Sequence, residues 1–144
     1  MMTRVARVAV PHGRRAFSSG HPMCAVVTAL NADPAEAVAS IQLEPQPPID
    51  VSALSANDVV IAVRSSAAHW VDMLMMSGQY QHQPEPPYTP GMEYAGEIAW
   101  RGADVTHVKE GDRVMIDGFK AGARSYEKKY QKNGGFSSFA VAPS

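Results

Sequence analysis

The sequence predicts a mainly β fold: a partly open β-barrel with one or two short helices. The chain has 144 residues, 45% of them hydrophobic, which is enough to bury one sizeable core. Six short apolar runs are separated by Gly, Pro, Asn or Asp residues, as in a barrel or sandwich. Only one segment has a clear helical period. The strand-like runs are residues 23–29, 38–43, 59–63, 93–100, 113–116 and 136–141.

The helical segment is residues 67–76. Its large apolar residues Trp70, Met73 and Leu74 recur at intervals of three and four, which is the period of a helix with one buried face. Gly78 follows as a stop signal. One short helix against a strand-rich body indicates that the barrel is not fully closed.

Two segments are predicted to be loops. Residues 81–90 contain four prolines, which remove backbone donors and fix φ, so this segment should cross the surface as an extended connection. A ligand for a proline-binding module is the alternative. Residues 117–135 are polar and end in Asn-Gly-Gly, a turn signal. We expect this second loop to be mobile.

The first 22 residues differ in charge from the rest of the chain. They contain four arginines and no acidic residue, whereas all 14 acidic residues lie at or after Asp33. This composition favours a mitochondrial transit peptide, in which Arg4 and Arg7 lie on one face of a short helix and cleavage follows Phe17. A disordered tail is the alternative. The sequence thus favours the mitochondrial matrix, with the cytoplasm as the other possibility.

Composition also excludes several classes of function. No apolar stretch approaches the roughly 20 residues that a spanning helix needs, so we expect no membrane span. The body of the chain is mildly acidic and has no basic stripe with interleaved aromatic residues, which excludes a nucleic-acid partner. Cys24 is the only cysteine, so the chain can form neither an internal disulfide nor a cysteine-rich zinc cluster.

Four motifs follow one another in the second half of the chain. They contain a Pro-Gly-x-Glu turn, a Gly-Asp-Arg-Val turn and a Gly-Gly-Phe strand start in a fixed order. The motifs are DVVIAVRSSAAHWVDMLMMSGQY (58–80), YTPGMEYAGEI (88–98), GADVTHVKEGDRVM (102–115) and GGFSSFAVAP (134–143). The chain resembles the GroES-like catalytic domain of the medium-chain dehydrogenase/reductase family, especially its quinone oxidoreductase group. The resemblance covers most of residues 23–144 and predicts one substrate-side domain there.

The resemblance implies hydride transfer from NADPH to a small quinone or an activated alkene or carbonyl, in an enzyme that forms homodimers. In this family a Rossmann half holds the cofactor, yet no Gly-x-Gly-x-x-Gly follows a strand here. We therefore expect an N-terminal fragment of an oxidoreductase, inactive alone. A stand-alone, non-catalytic GroES-like interaction module is the alternative. A vesicle- or lipid-associated member of the same family is a third.

A catalytic zinc ion is not expected. Zinc-dependent relatives bind the metal through a Cys at the start of the short helix and a His in a Gly-His-Glu triplet. The matching positions here are His69 and Met92. A thioether is not a normal zinc ligand, since Zn²⁺ takes thiolate, imidazole and carboxylate.

The resemblance places Tyr80 beside the substrate, where related reductases use a tyrosine as proton donor. A phenol is a weak acid, so Tyr80 would need a group that stabilises its anion; packing across the cleft mouth is the alternative. His69 replaces an Asn of the family and could shuttle a proton, or could simply be satisfied at the helix N-terminus.

Two carboxylates complete the predicted site. Asp72 matches an acidic residue of the family and is expected to be a cap or a structural hydrogen-bond acceptor. Glu93 lies in a strand that the sequence predicts to be buried, and it matches a residue that orients the active site in the family. We expect both to line the cleft or to support it.

Overall fold

The computed structural model describes residues 21–144 and Ala6–Arg7. These residues form short strands joined by turns, with three short helices. In chain order the elements are β1 (Ala6–Arg7), β2 (Met23–Val26), α1 (Pro34–Ala39), β3 (Gln42–Pro45), a 3-10 turn (Val51–Ala53), β4 (Asp58–Ala67), α2 (Trp70–Met76), β5 (Glu93–Arg101), β6 (Arg113–Met115), α3 (Lys128–Gln131) and β7 (Phe139–Pro143).

The strands form two antiparallel sheets that do not close into one barrel. The larger sheet has the order β1-β6-β5-β4-β7, and β2 pairs with β3 in the smaller one. Backbone hydrogen bonds join the small sheet to the segments that precede β7 and β5, since Ala25 N donates to Phe136 O over 2.8 Å and Val27 N, just after β2, donates to Tyr88 O over 2.8 Å. The predicted mainly β, partly open architecture is confirmed.

Two apolar clusters hold the described residues together. The first lies on the inner face of the large sheet, where alternate residues of β4 and β5 such as Val59, Ile61 and Ile98 are buried. The second packs α2 against the small sheet and the long loop. Its members are Val27, Ala37, Met75, Met76, Tyr88 and Ala123. The position of α2 therefore depends on residues far apart in the chain.

Two glycines allow backbones to approach closely. A Cβ on Gly96 would lie 2.1 Å from the carbonyl oxygen of Ala62 on the neighbouring strand. Gly91 has a φ of +101°, and a Cβ there would lie 2.7 Å from the backbone nitrogen of Gly135. A side chain at either position would displace backbone atoms.

The predicted strand over residues 38–43 is wrong in its first part. Residues 38 and 39 end α1, and β3 begins only at Gln42. Helix α1 forms because Asp33 Oδ1 accepts hydrogen bonds from the backbone nitrogens of Ala35 and Glu36, while Pro34 stands at its start. This Asp-Pro-x-Glu signal outweighs the strand propensity of Val38.

The segment 117–135 contains more structure than the polar loop that the sequence predicted. It includes α3, and its Tyr130 is only 2% exposed. Tyr130 Oη donates a hydrogen bond to the buried Asp58 over 2.6 Å. Lys129 Nζ lies 3.2 Å from each carboxylate oxygen of the same residue. We call this group of three residues the Asp58 clamp; it ties the loop to the start of β4.

The predicted transit peptide and its cleavage after Phe17 lie largely outside the described residues. The exception is Ala6–Arg7, which form the edge strand β1 by pairing with Val114 and Met115 of β6. The predicted helix is therefore wrong at these two residues, because the open edge of β6 offers backbone partners to an extended segment. In the described part of the chain, no helix has the length and apolarity to cross a membrane.

Candidate functional site

The N-terminal end of α2 is anchored by Asp72. This carboxylate accepts a hydrogen bond from the backbone nitrogen of His69 over 2.9 Å and another from Gly91 over 3.1 Å. It thus satisfies a free donor at the helix start and ties α2 to the turn before β5. Asp72 is a structural hydrogen-bond acceptor here.

His69 and Glu93 form a hydrogen-bonded pair beside this anchor. The antiparallel register sets Glu93 opposite Ala67, two residues before His69. The Nε2 atom of His69 lies 3.0 Å from Oε2 of Glu93. A carboxylate in this position orients an imidazole and selects its tautomer.

Glu93 is not buried, which corrects the sequence-based expectation. Its side chain is 54% exposed and that of His69 is 38% exposed. Strand β5 alternates, so Tyr94, Gly96 and Ile98 face the interior while Glu93 faces outward. The exposure leaves the His69–Glu93 pair open to a ligand and to solvent.

A cleft adjoins Glu93, the one member of the pair that lines it. Its volume is about 400 Å³, and the ends of β4, β5 and β6 line it with residues that include Ser66, Glu93 and Met115. A second cavity of about 520 Å³ lies near Cys24 and Lys132. That second cavity contains none of the predicted site residues, so the smaller cleft is the better match to the site chemistry.

Tyr80 lies beyond the other end of α2. The helix ends at Met76, and Gly78 turns the chain with a φ of +75°. The half-buried Tyr80 ring makes an edge contact with His82, with the centroids 6.1 Å apart. The guanidinium of Arg124 lies 6.0 Å from the Tyr80 ring centroid. The structure thus groups His69, Asp72 and Glu93, and places Tyr80 with other aromatic residues.

Sequence reasoning missed the group around Tyr80. We call it the aromatic–arginine cluster, and it consists of Tyr80, His82, Phe119, Arg124 and Tyr126. The stretch FKAGARSY carries an arginine between two aromatic residues, which was the available signal. This signal is hard to recognise in the sequence, because residues 117–135 have the composition of a polar loop.

Burial shifts the acidity of several groups around α2. Desolvation raises the pKa of the Asp72 carboxyl and outweighs the backbone hydrogen bonds that lower it. Burial, and then the charge of Asp72, raise the pKa of the Tyr88 phenol. Burial alone raises the pKa of Tyr94. Both phenols therefore stay protonated at neutral pH and serve as packing groups.

At the positions that match the metal ligands of zinc-dependent relatives, this chain has His69 and Met92. Met92, which stands where zinc-dependent relatives have a histidine, is buried and only 4% exposed. His69 and Glu93 are bonded to each other. Within the described residues, no group of three or more His, Cys, Asp or Glu side chains could hold a metal ion.

Comparisons with known proteins agree on the family. The model of the alcohol dehydrogenase GroES-like domain matches residues 55–144. Quinone oxidoreductase-like protein 2 of Rattus norvegicus is 42% identical over 62 residues, which are 43% of this chain and 18% of that relative. The chain therefore matches less than a fifth of the length of this curated relative.

Solved structures share the fold. The quinone oxidoreductase of Coxiella burnetii superposes with a TM-score of 0.63 at 20% identity, covering 85% of this chain and 35% of that one. A mycobacterial protein complexed with NADPH superposes with a TM-score of 0.58 at 21% identity, covering 85% and 31% of the two chains. In both cases the match covers about a third of the solved chain.

Proposed function

The chain belongs to the alcohol dehydrogenase GroES-like domain family, as the motifs predicted, and from this premise we propose that it is the substrate-side part of an NADPH-dependent oxidoreductase. The proposed reaction is hydride transfer to a quinone or to an activated alkene or carbonyl, without zinc. The names of the curated relatives support an oxidoreductase. The NADPH complex of a structural neighbour is consistent with the proposed cofactor.

NADPH, when bound, would supply the hydride, and a nucleotide-binding half outside residues 1–144 would hold most of it. The residues of this chain would bind the acceptor and donate a proton to it. Hydride addition leaves negative charge on the acceptor, which needs electrostatic stabilisation and a proton donor. The described residues offer two candidates for that donor, His69 and Tyr80.

The His69–Glu93 hydrogen bond is the observation that carries the proposal. It occupies the place where zinc-dependent relatives hold their metal, and it supplies a proton where those enzymes use a Lewis acid. With Nε2 held by Glu93, the proton would leave from Nδ1, and the carboxylate would stabilise the imidazolium before transfer. Tyr80 would then act as a ring that packs against the acceptor.

The test is steady-state oxidation of NADPH by the full-length parent with 1,4-benzoquinone. His69→Gln should lower kcat by about 10²–10⁴-fold, because a general acid is lost. Glu93→Gln keeps a hydrogen-bonding side chain without its charge, so it should give a smaller loss and move the pH profile. Tyr80→Phe is the control and should lower kcat by less than about tenfold. A His69→Gln enzyme with unchanged kcat would overturn the assignment.

Zinc independence is tested by metal analysis of the purified, untagged parent. We expect no stoichiometric zinc and full activity after treatment with a chelator, because Met92 stands where zinc-dependent relatives have a ligating histidine. One zinc per chain, together with loss of activity on chelation, would contradict the proposal.

We also propose a mitochondrial location. The support is the composition of the first 22 residues, with four arginines and no acidic residue. N-terminal sequencing of the protein from its own cells should find a start after Phe17. An intact Met1 would refute import with cleavage.

A further inference from the structure

Arg124 lies half-buried in the aromatic–arginine cluster, and within the described part of the chain it forms no ion pair. Its guanidinium carbon is 3.9 Å from the ring centroid of Phe119, a stacking distance. The Nε atom is buried and has no hydrogen-bond partner among the described residues. Leaving a donor of a cation unpaired away from water is costly. An anion at this position would remove that cost.

The charge around Arg124 favours an anion. Residues 117–135 carry five basic and two acidic residues, whereas residues 23–116 carry four basic and twelve acidic ones. The Phe119 ring beside Arg124 offers the guanidinium no oxygen acceptor, and a guanidinium suits a planar, bidentate partner such as a carboxylate.

The rings around Arg124 favour a flat ligand. Phe119 and Tyr126 are stacked, with centroids 5.9 Å apart, and they are 43% and 62% exposed. His82 makes an edge contact with Tyr126 over 5.1 Å, and Tyr80 makes one with His82. Exposed aromatic faces beside a cation can pack on a conjugated molecule while the cation binds its charged group.

The backbone at Arg124 is fixed in advance. The neighbouring Ser125 is fully buried, its hydroxyl donates to the carbonyl of Lys120 over 2.6 Å, and its own carbonyl accepts from Gln131 over 2.7 Å. The Asp58 clamp holds the following helix α3 to β4. These hydrogen bonds hold the backbone next to Arg124 in place before a ligand binds, which lowers the entropic cost of binding.

We propose that the aromatic–arginine cluster binds the anionic group of a planar, conjugated substrate, with Arg124 as the specificity-determining residue. This inference rests on the proposed function for the statement that the ligand is the hydride acceptor. The acceptor would then be an unsaturated or quinoid molecule that carries a carboxylate or a similar anion. Binding itself involves only this chain.

The test is binding of trans-cinnamate to the chain, followed by NMR of the arginine Nε–H signals. Cinnamate should shift the Arg124 signal saturably, whereas cinnamamide, which is equally flat but neutral, should not. Arg124→Gln should weaken cinnamate binding by about tenfold or more, and Arg124→Lys should give an intermediate loss, because lysine keeps the charge without the planar fork. Lys128→Gln is the matched control, since it removes the same charge from an exposed residue of the same segment.

Equal shifts from cinnamate and cinnamamide would overturn the proposal. So would an equal loss of affinity in Arg124→Gln and Lys128→Gln, or the absence of a saturable shift. The outcome is independent of turnover. Cinnamate binding in a protein that never oxidises NADPH would support this site and refute the proposed function. Quinone reduction without cinnamate binding would refute this site and support the proposed function.

Discussion

The two ends of helix α2 are built in different ways. At its N-terminal end, Asp72 bonds two backbone nitrogens and holds His69 close to Glu93. Beyond its C-terminal end, Tyr80 lies against a ring and a guanidinium, and the guanidinium comes from Arg124 on a distant loop. The first end is polar and fixed by hydrogen bonds between neighbouring motifs. The second depends on long-range packing.

This difference suggests a division of labour. A charge-assisted imidazole is suited to moving a proton, whereas a guanidinium that has aromatic neighbours and no ion pair among the described residues is suited to binding a flat anion. We therefore assign proton transfer to His69, at the N-terminal end of α2, and ligand recognition to Arg124, near its C-terminal end. The first three predictions below each perturb one end and should spare the other.

The largest effect is expected from removing the Asp58 clamp. Asp58→Ala leaves the buried Tyr130 hydroxyl and the Ser55 backbone nitrogen without their acceptor, and each unsatisfied buried donor costs about 1–3 kcal/mol. Urea unfolding should show this loss. Lys129→Gln removes only the half-exposed partner and should cost under about 1 kcal/mol. Equal losses in the two variants would show that Tyr130 does not depend on Asp58.

Substitution of Gly91 tests the N-terminal end of α2, because the Gly91 backbone nitrogen donates to Asp72. Gly91→Ala places a Cβ 2.7 Å from the backbone of Gly135 at a φ of +101°, on the residue whose nitrogen bonds Asp72. We expect a loss of roughly 3 kcal/mol or more, from strain and displaced backbone. Gly111→Ala is the matched control, because its φ is +84° but nothing lies within 4 Å. It should cost only about 1–2 kcal/mol. A mild Gly91→Ala effect would mean that the turn can relax.

A smaller, pH-dependent effect is expected from Asp72. Burial raises the pKa of its carboxyl above the ordinary value of 3.8. A carboxyl with a raised folded-state pKa contributes most to stability when protonated, and that contribution falls as pH rises through the folded-state pKa. The unfolding free energy of the wild type minus that of Asp72→Asn should therefore decrease as pH increases from about 4. An increase with pH would show that the backbone hydrogen bonds outweigh burial.

The smallest effect concerns Cys24. Burial raises the pKa of this thiol, outweighing the hydrogen bond to Thr89, and the side chain is 7% exposed. Because the thiolate is the reactive form, the native protein should react with a disulfide reagent at pH 8 about tenfold or more slowly than the unfolded protein. Equal rates would show that the cavity near Cys24 opens readily.

Much of the fold follows from local signals in the sequence. The turns at Gly91 and Gly111 were expected from the Pro-Gly-x-Glu and Gly-Asp-Arg-Val motifs. The helix was expected from the period of Trp70, Met73 and Leu74, but Trp70 is 65% exposed and the buried residues of the helix are Asp72, Met75 and Met76. The error at residues 38–43 arose because an N-cap at Asp33 competes with the strand propensity of Val38. Such a competition can be predicted only when the N-cap residue and the apolar residues that follow it are considered together.

The site was predicted less completely. His69, Asp72 and Glu93 lie within or beside recognisable motifs, so their grouping follows from strand register, although the exposure of Glu93 does not. Arg124 was not predicted. Its role arises where residues 117–135 fold back over α2, and the Asp58 clamp that directs this packing joins residues 71 and 72 positions apart. No local pattern encodes such a contact.

The most direct test of the division of labour is a comparison of kcat and KM in the full-length parent with the anionic acceptor 1,2-naphthoquinone-4-sulfonate. His69→Gln should lower kcat by about 10²-fold or more and leave KM within a few-fold. Arg124→Gln should raise KM by about tenfold and leave kcat within a few-fold. If Arg124→Gln instead lowers kcat as much as His69→Gln does while KM stays constant, the division of labour is contradicted, because both ends of α2 would then act in one chemical step.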